Sequence, residues 1–329
     1  MKLGVYTACL HHRPLSEALD VIRELGLDSA EINSGGFLPT PHLPVRELLG
    51  SQSARDDYLD AFHSRGLTLT ALNCNGNPLH PDPEVREKHA ADLRRSIEVA
   101  AALGVRRVVT MSGLPASDPG GRLPSWTVVP WDSAYLDVRD YQWNDIAIPF
   151  WREIDRLARD HDVRVCIEMH PHNIVYNPVT LVRLVDAIDA THVGAEMDPS
   201  HLFWQGIDPV VAVRFLGKLV YNAAAKDTRI NAKVNLYGVL DDRFNRVAPD
   251  APKVSLGGRY ALNRWPDDAA WDFVAVGRGH DTGWWHEFLR ALAEVDPDMA
   301  VNIEHEDREL DSMTGLRIAA ETLRIAAKP

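Results

Sequence analysis

Three acidic residues close three strand-like runs: Glu168 in VRVCIEMHPH, Asp198 in VGAEMDPSH and Glu304 in MAVNIEHED. Carboxylates crowded together repel one another unless a proton or a cation intervenes. Donors so rich in oxygen suit a hard divalent ion, Mn²⁺ or Mg²⁺ first, with Zn²⁺ or Co²⁺ as alternatives. Such an ion polarises a carbonyl or chelates neighbouring hydroxyls, while a carboxylate beside it moves a proton. Glu168, Asp198 and Glu304 are therefore the candidate metal ligands, and Glu168 and Glu304 the candidate proton-transfer pair. A lone acid at a strand end more often caps a helix or pairs with a base, so the chemistry depends on the three meeting.

They meet only if the strand ends converge. Short β-branched runs alternate with helical patterns along the chain, with strands expected at residues 3–7, 29–33, 67–73, 106–111, 163–169, 193–197, 218–225 and 299–304. Eight such runs separated by helices indicate an α/β fold with a parallel sheet, closed as a (β/α)8 TIM barrel. In that fold the carboxyl ends of all strands share one face, so sequence distance is no obstacle. The 329 residues fit one domain spanning 1–329, a barrel of about 250 residues enlarged by insertions.

Helix signals agree. Asp82-Pro83 offers an N-cap with proline at the first helical position, and Gly104 ends the run that follows. Asp311 or Ser312 can cap a last helix with Met313, Leu316, Ala320, Leu323 and Ala327 on one face. Two segments exceed ordinary βα loops, at 112–144 and 228–281, and both follow strands, which puts them on the C-terminal face. The first carries Trp126, Trp131 and Trp143, so Trp131 is expected to wall a pocket. The second carries Gly277 and Gly279 beside His280, glycines that permit close backbone approach and make His280 a candidate for substrate contact. Packing or a subunit contact is the plainer use of such loops.

The bulk properties exclude more than they identify. A net charge of −12 argues against nucleic acid as partner, because phosphate backbones are held by clustered Lys and Arg. Three cysteines, Cys9, Cys74 and Cys166, with no CxxC pair, suggest a reduced cytoplasmic protein. The opening KLGVYTACL is too short for a signal-peptide core, and no apolar run is long enough to span a membrane.

The chain resembles the xylose isomerase-like TIM barrels, the sugar phosphate isomerase/epimerase family, over nearly its whole length. The resemblance rests on ALNCNGNPLHPDP (71–83), EMHPHNIVYNP (168–178), DPSHLFWQGIDP (198–209), AKDTRI (225–230), GRGHD (277–281) and IEHED (303–307). It implies one divalent metal held by Glu, Asp, His and Glu, and proton transfer at a carbon next to a carbonyl. Glu168, Asp198 and Glu304 match the acidic ligands, and His201 matches a histidine that contacts substrate or metal. Lys226 matches a lysine suited to a substrate oxyanion, and His170 follows Glu168 closely enough to face the pocket. Two departures stand out: the ligand histidine of the family's HxHxKD motif falls on Ala224, and Asn75 stands where relatives often have histidine.

These readings lead to a sugar or sugar-derivative isomerase or epimerase, with Glu168, Glu304 and His201 catalytic and His170, Lys226, His280 and Trp131 binding substrate. A C-glycoside deglycosidase-like lyase acting on an oxidised glycoside is an alternative. A binding barrel, or a complex subunit with no metal because Ala224 replaces the ligand, is another. A metal-dependent nuclease is disfavoured by the acidic charge. The expected partner is a small sugar-like molecule, with a homo-oligomer or hetero-complex also open.

Overall fold

Each of the eight expected strands forms in the computed structural model, which describes residues 1–328. They are β1 (Lys2–Tyr6), β2 (Ser29–Asn33), β3 (Thr68–Asn73), β4 (Arg107–Met111), β5 (Arg164–Glu168), β6 (Val193–Met197), β7 (Val220–Ala225) and β8 (Ala300–Ile303). Each pairs in parallel with its neighbours in sequence, and β1 closes on β8, giving a barrel in which strand order follows chain order. Strands buried on both faces read as continuous apolar runs, and β6 (VGAEM) and β7 (VYNAAA) are buried throughout.

Helices wrap the barrel and cap as the sequence suggests. Asp82 accepts the Glu84 N–H at 3.1 Å at the head of Pro83–Leu103, and Gly104 ends that helix with φ of 70°. Asp311 accepts the Thr314 N–H at 3.0 Å at the start of Ser312–Ala326. Trp151, Trp285, Phe62 and Phe288 are among the largest fully buried side chains. No described helix is long and apolar enough to cross a membrane.

The insertions are more ordered than their composition suggests. The first is loop-like only to about residue 132. Asp132 then caps Ser133–Asp140 by accepting the Ala134 N–H at 2.8 Å, and a π-helical stretch, Tyr141–Ala147, leads into Ile148–Asp160. The second is built on an antiparallel ladder between Asp227–Ile230 and Trp271–Val274, with Thr228 opposite Phe273. Trp271 stacks on Trp204 at 4.7 Å and meets Trp265 edge-on, which ties this insertion to the barrel rim.

Candidate functional site

The barrel rim brings the acids together. Glu168 is the last residue of β5, Glu304 directly follows β8, and Asp198 directly follows β6. Oxygens of Glu168, Asp198 and Glu304 all lie within 4.8 Å of one another, as do donor atoms of Glu168, His170 and His201. The Glu304 N–H donates to Ala225 O at 3.0 Å, so Glu304 keeps the ladder's geometry although it lies past the strand. Asp198 is also a helix cap: it accepts the Ser200 N–H at 2.8 Å and starts the short helix Pro199–Phe203. That helix delivers His201, whose Nε2 lies 3.1 Å from Glu168 Oε1 and 3.4 Å from Asp198 Oδ2. The His170 ring sits 3.9 Å from that of His201, with its Nδ1 against Pro171 O at 2.5 Å.

The acids do not carry equal charge. Burial raises the Glu168 pKa, but the His201 hydrogen bond and the positive charges around it outweigh that and hold it at about 2. Burial lifts Asp198 to about 7, with Lys226 pulling the other way. Burial also pushes Glu304 well above the carboxylate range against the pull of Lys226. Burial, and then His170, hold the His201 pKa well below the usual histidine value. Three full negative charges cannot coexist here without compensating positive charge.

Part of that positive charge is internal. Lys226, just past β7, places Nζ 3.1 Å from Glu304 Oε2 and 3.0 Å from Glu306 Oε1. Burial opposes its charge, yet Glu304 and Glu306 hold its pKa well above the ordinary lysine value. The Phe273 ring covers it at 4.5 Å and also meets His201 edge-on at 5.3 Å. Asn222, Ala224 and Lys226 alternate on one side of the chain, so Ala224 offers a buried methyl where an imidazole would otherwise reach the cluster. Asn75 does take part: its Nδ2 donates to Glu168 Oε2 at 2.5 Å.

A second polar layer lies deeper in the barrel and escapes the sequence reading. Glu31 on β2 accepts from Asn73, Asn302 and Asn222 at 2.8, 3.0 and 3.3 Å, and Glu196 accepts from Asn222 at 3.1 Å. Burial and then Glu31 raise the Glu196 pKa well above the usual carboxylate value.

Two of the expected substrate contacts, His280 and Trp131, have surroundings of a different kind. His280 serves Asp227: its ring Nδ1 lies 2.7 Å from Asp227 Oδ1, and its ring stacks on Phe203 at 3.7 Å. The glycines beside it permit close approach to a protein group. Backbone N–H groups of Gly277, Gly279 and His280 donate to Asp227 Oδ2 at 3.0, 3.1 and 3.0 Å. Trp131 is 91% exposed. Its ring is open to water instead of packed into the core.

The donor set fits a hard divalent cation. Asp198 Oδ2 and Asn75 Oδ1 are buried oxygens with no hydrogen-bond donor, and a buried acceptor left unpaired is costly. Glu168, Asp198 and Glu304 would hold the ion, with His201 Nε2 within reach of two of them.

A model of the xylose isomerase-like TIM barrel family matches residues 19–326. YfiH of Bacillus subtilis (strain 168), an uncharacterized protein, is 36% identical over 328 residues, covering 98% of each chain. The IolI protein solved with a binding zinc atom superposes with a TM-score of 0.61 at 18% identity, over 99% of this chain and 98% of that one. The 3-keto-D-glucoside 4-epimerase YcjR from E. coli superposes with a TM-score of 0.60 at 16% identity, over 98% of this chain and 99% of that one. At such identities the two structures are evidence for the fold alone.

Proposed function

The chain belongs to the xylose isomerase-like TIM barrel family, and from that premise we propose that it isomerises or epimerises a sugar or sugar derivative by proton transfer next to a carbonyl, assisted by a divalent cation. The observation that carries this reading is the set of three carboxylates with oxygens within 4.8 Å, joined by His201 and Lys226 at the carboxyl end of the barrel.

Held by Glu168, Asp198 and Glu304, the cation would lower the cost of negative charge developing on the carbonyl oxygen. Glu168 removes the proton from the adjacent carbon, and the electron pair moves toward that oxygen as an enediolate. Glu304 returns a proton, either to the opposite face of the same carbon or to its neighbour. The Lys226 ammonium and the His201 imidazole orient substrate oxygens by hydrogen bonding. Phe273, beside both, excludes water from one side.

A lyase acting on an oxidised glycoside shares the first proton removal, and the aromatic wall at Phe273 is a reason to test it. A binding barrel without catalysis is the reading that Ala224 favours. One experiment separates them. Protein purified without chelator or affinity metal is assayed for metal by elemental mass spectrometry, loaded with Mn²⁺, and incubated in D2O with ketoses and 3-keto-glycosides. Deuterium entering the carbon next to the carbonyl supports the proposal, and aglycone release supports the lyase. No exchange and no release from any substrate would leave only the binding role. Full activity in both Glu168→Gln and Glu304→Gln would overturn the assigned pair.

A further inference from the structure

The chemistry proposed above leaves unused a small cavity between the loops that follow β4 and β5. Its volume is about 60 Å³, and its wall includes Trp126, Arg139, Trp143, Asn173, Tyr176 and Arg183. Arg139 is matched by its neighbour: Nη2 lies 2.8 Å from Asp140 Oδ1. Arg183, on the helix Pro178–Ile188, is not. Its guanidinium lies 4.1 Å from the centre of the Trp143 ring, and among the described residues it pairs with no acceptor and no carboxylate. Burial lowers its pKa, Arg139 adds repulsion, and Asp140 offsets part of this.

Trp126 adds a buried donor without a partner. Its indole N–H is buried without an acceptor, while its ring is held edge-on by His172 at 4.8 Å and by Tyr176 at 5.4 Å. Gln142 in the same wall is spent, since its Nε2 donates to the carbonyls of Pro115, Ala116 and Ser125 at 3.3, 3.1 and 2.7 Å. The wall therefore holds two guanidinium groups and an unpartnered indole N–H, with no carboxylate among its lining residues.

We propose that this cavity binds a small oxyanion, a carboxylate or phosphoryl group, through the edge of Arg183 and the indole N–H of Trp126, with Arg139 as the second positive charge. A guanidinium stacked on an aromatic face has its plane set and its N–H edge free, the geometry that grips a planar or tetrahedral oxyanion with two hydrogen bonds. A neutral hydroxyl would leave the charge unmatched. The cavity adjoins the acidic cluster through Pro171, since His172 touches Trp126 and His170 touches His201. The oxyanion is thus either a group of the substrate itself, which rests on the function proposed above, or a separate metabolite, which does not.

The test titrates the full chain, in chelator and at constant ionic strength, with inorganic phosphate and with acetate, by calorimetry and tryptophan fluorescence. The expected result is saturable one-site binding of at least one of them, weakened about tenfold or more in both Arg183→Gln and Trp126→Phe, and unchanged in Glu168→Gln. Circular dichroism and melting curves establish that each variant folds. No saturable binding, binding as tight as wild type in Arg183→Gln or in Trp126→Phe, or loss confined to Glu168→Gln would each overturn the proposal. A second arm uses D-fructose 6-phosphate with Mn²⁺-loaded protein. Affinity lost in both Arg183→Gln and Glu168→Gln makes the oxyanion part of the substrate. Affinity lost in Arg183→Gln alone makes it a separate ligand, whatever the catalytic assays show.

Discussion

Nζ of Lys226 lies 3.1 Å from Oε2 of Glu304, with 4% and 13% of the two side chains exposed. Glu306 stands 3.0 Å from the same ammonium. The acidic cluster thus contains one positive charge of the protein's own, and a metal held there would add to it instead of acting alone.

Replacing Lys226 by methionine removes that charge and keeps the apolar stem. Buried acids left without their partner cost about 3–5 kcal/mol in comparable pairs. Lys226→Met should melt well below wild type in chelator, and Mn²⁺ should restore more of its Tm than it adds to wild type. An unchanged Tm in chelator would show that the ammonium does not balance the acids.

A cation held by the folded chain alone stabilises it by mass action, about 2.7 kcal/mol at a hundredfold excess over Kd. Melting in Mn²⁺ against chelator should show a clear rise for wild type, largely lost in Glu168→Gln and in Asp198→Asn. Equal rises in all three proteins would put the ion elsewhere.

Acid stability should depend on His89, which is 2% exposed. Its Nδ1 accepts the Asn77 N–H at 3.0 Å, and its Nε2 has no partner. Burial, with repulsion from Lys88, lowers its pKa from 6.5 to about 4. The folded value lies below the unfolded one, so the unfolded chain takes up the proton first. This contribution is complete above about pH 6.5, is lost as pH falls, and levels off near pH 4 at a loss on the order of 3 kcal/mol. Denaturant titrations at pH 7 and pH 4.5 should show a smaller drop in His89→Asn than in wild type. An equal drop would remove His89 from the account.

Gly279 should tolerate no side chain. A Cβ there would overlap the Thr228 carbonyl and the Asp227 carboxylate, whereas at Gly50 nothing lies within 4 Å. Gly279→Ala should therefore lose about 1–3 kcal/mol in urea denaturation, with Gly50→Ala close to wild type. Equal stability of the two variants would contradict the close packing around Asp227.

Much of the fold is legible in the chain because its cues are local. Alternation of strand and helix, Asp82 before Pro83, and Gly104 after the run are patterns among near neighbours, and they place the eight strands within about two residues. The helical stretch from Ser133 carries no buried residue in its first eight positions, so it lacks the apolar face that would announce it. GRGHD reads equally well as a ligand loop or as a cradle for Asp227, because glycines beside a histidine do not say what approaches them. The pair Glu31 and Glu196 is invisible for a different reason: an acid in an apolar strand becomes tolerable only when asparagines from other strands reach it.

Local patterns along the chain set the order of strands and helices, and through it the shared face on which Glu168, Asp198 and Glu304 stand, since a strand end's place in a barrel is a matter of topology. Which atoms meet there is a matter of tertiary packing. His201 reaches Glu168 across 33 residues and Lys226 reaches Glu304 across 78, while Arg183 lies on Trp143 and Trp131 faces water. Backbone periodicity is written in adjacent residues, but contacts near 3 Å depend on barrel closure and on the paths of loops, to which no single stretch of chain is a guide.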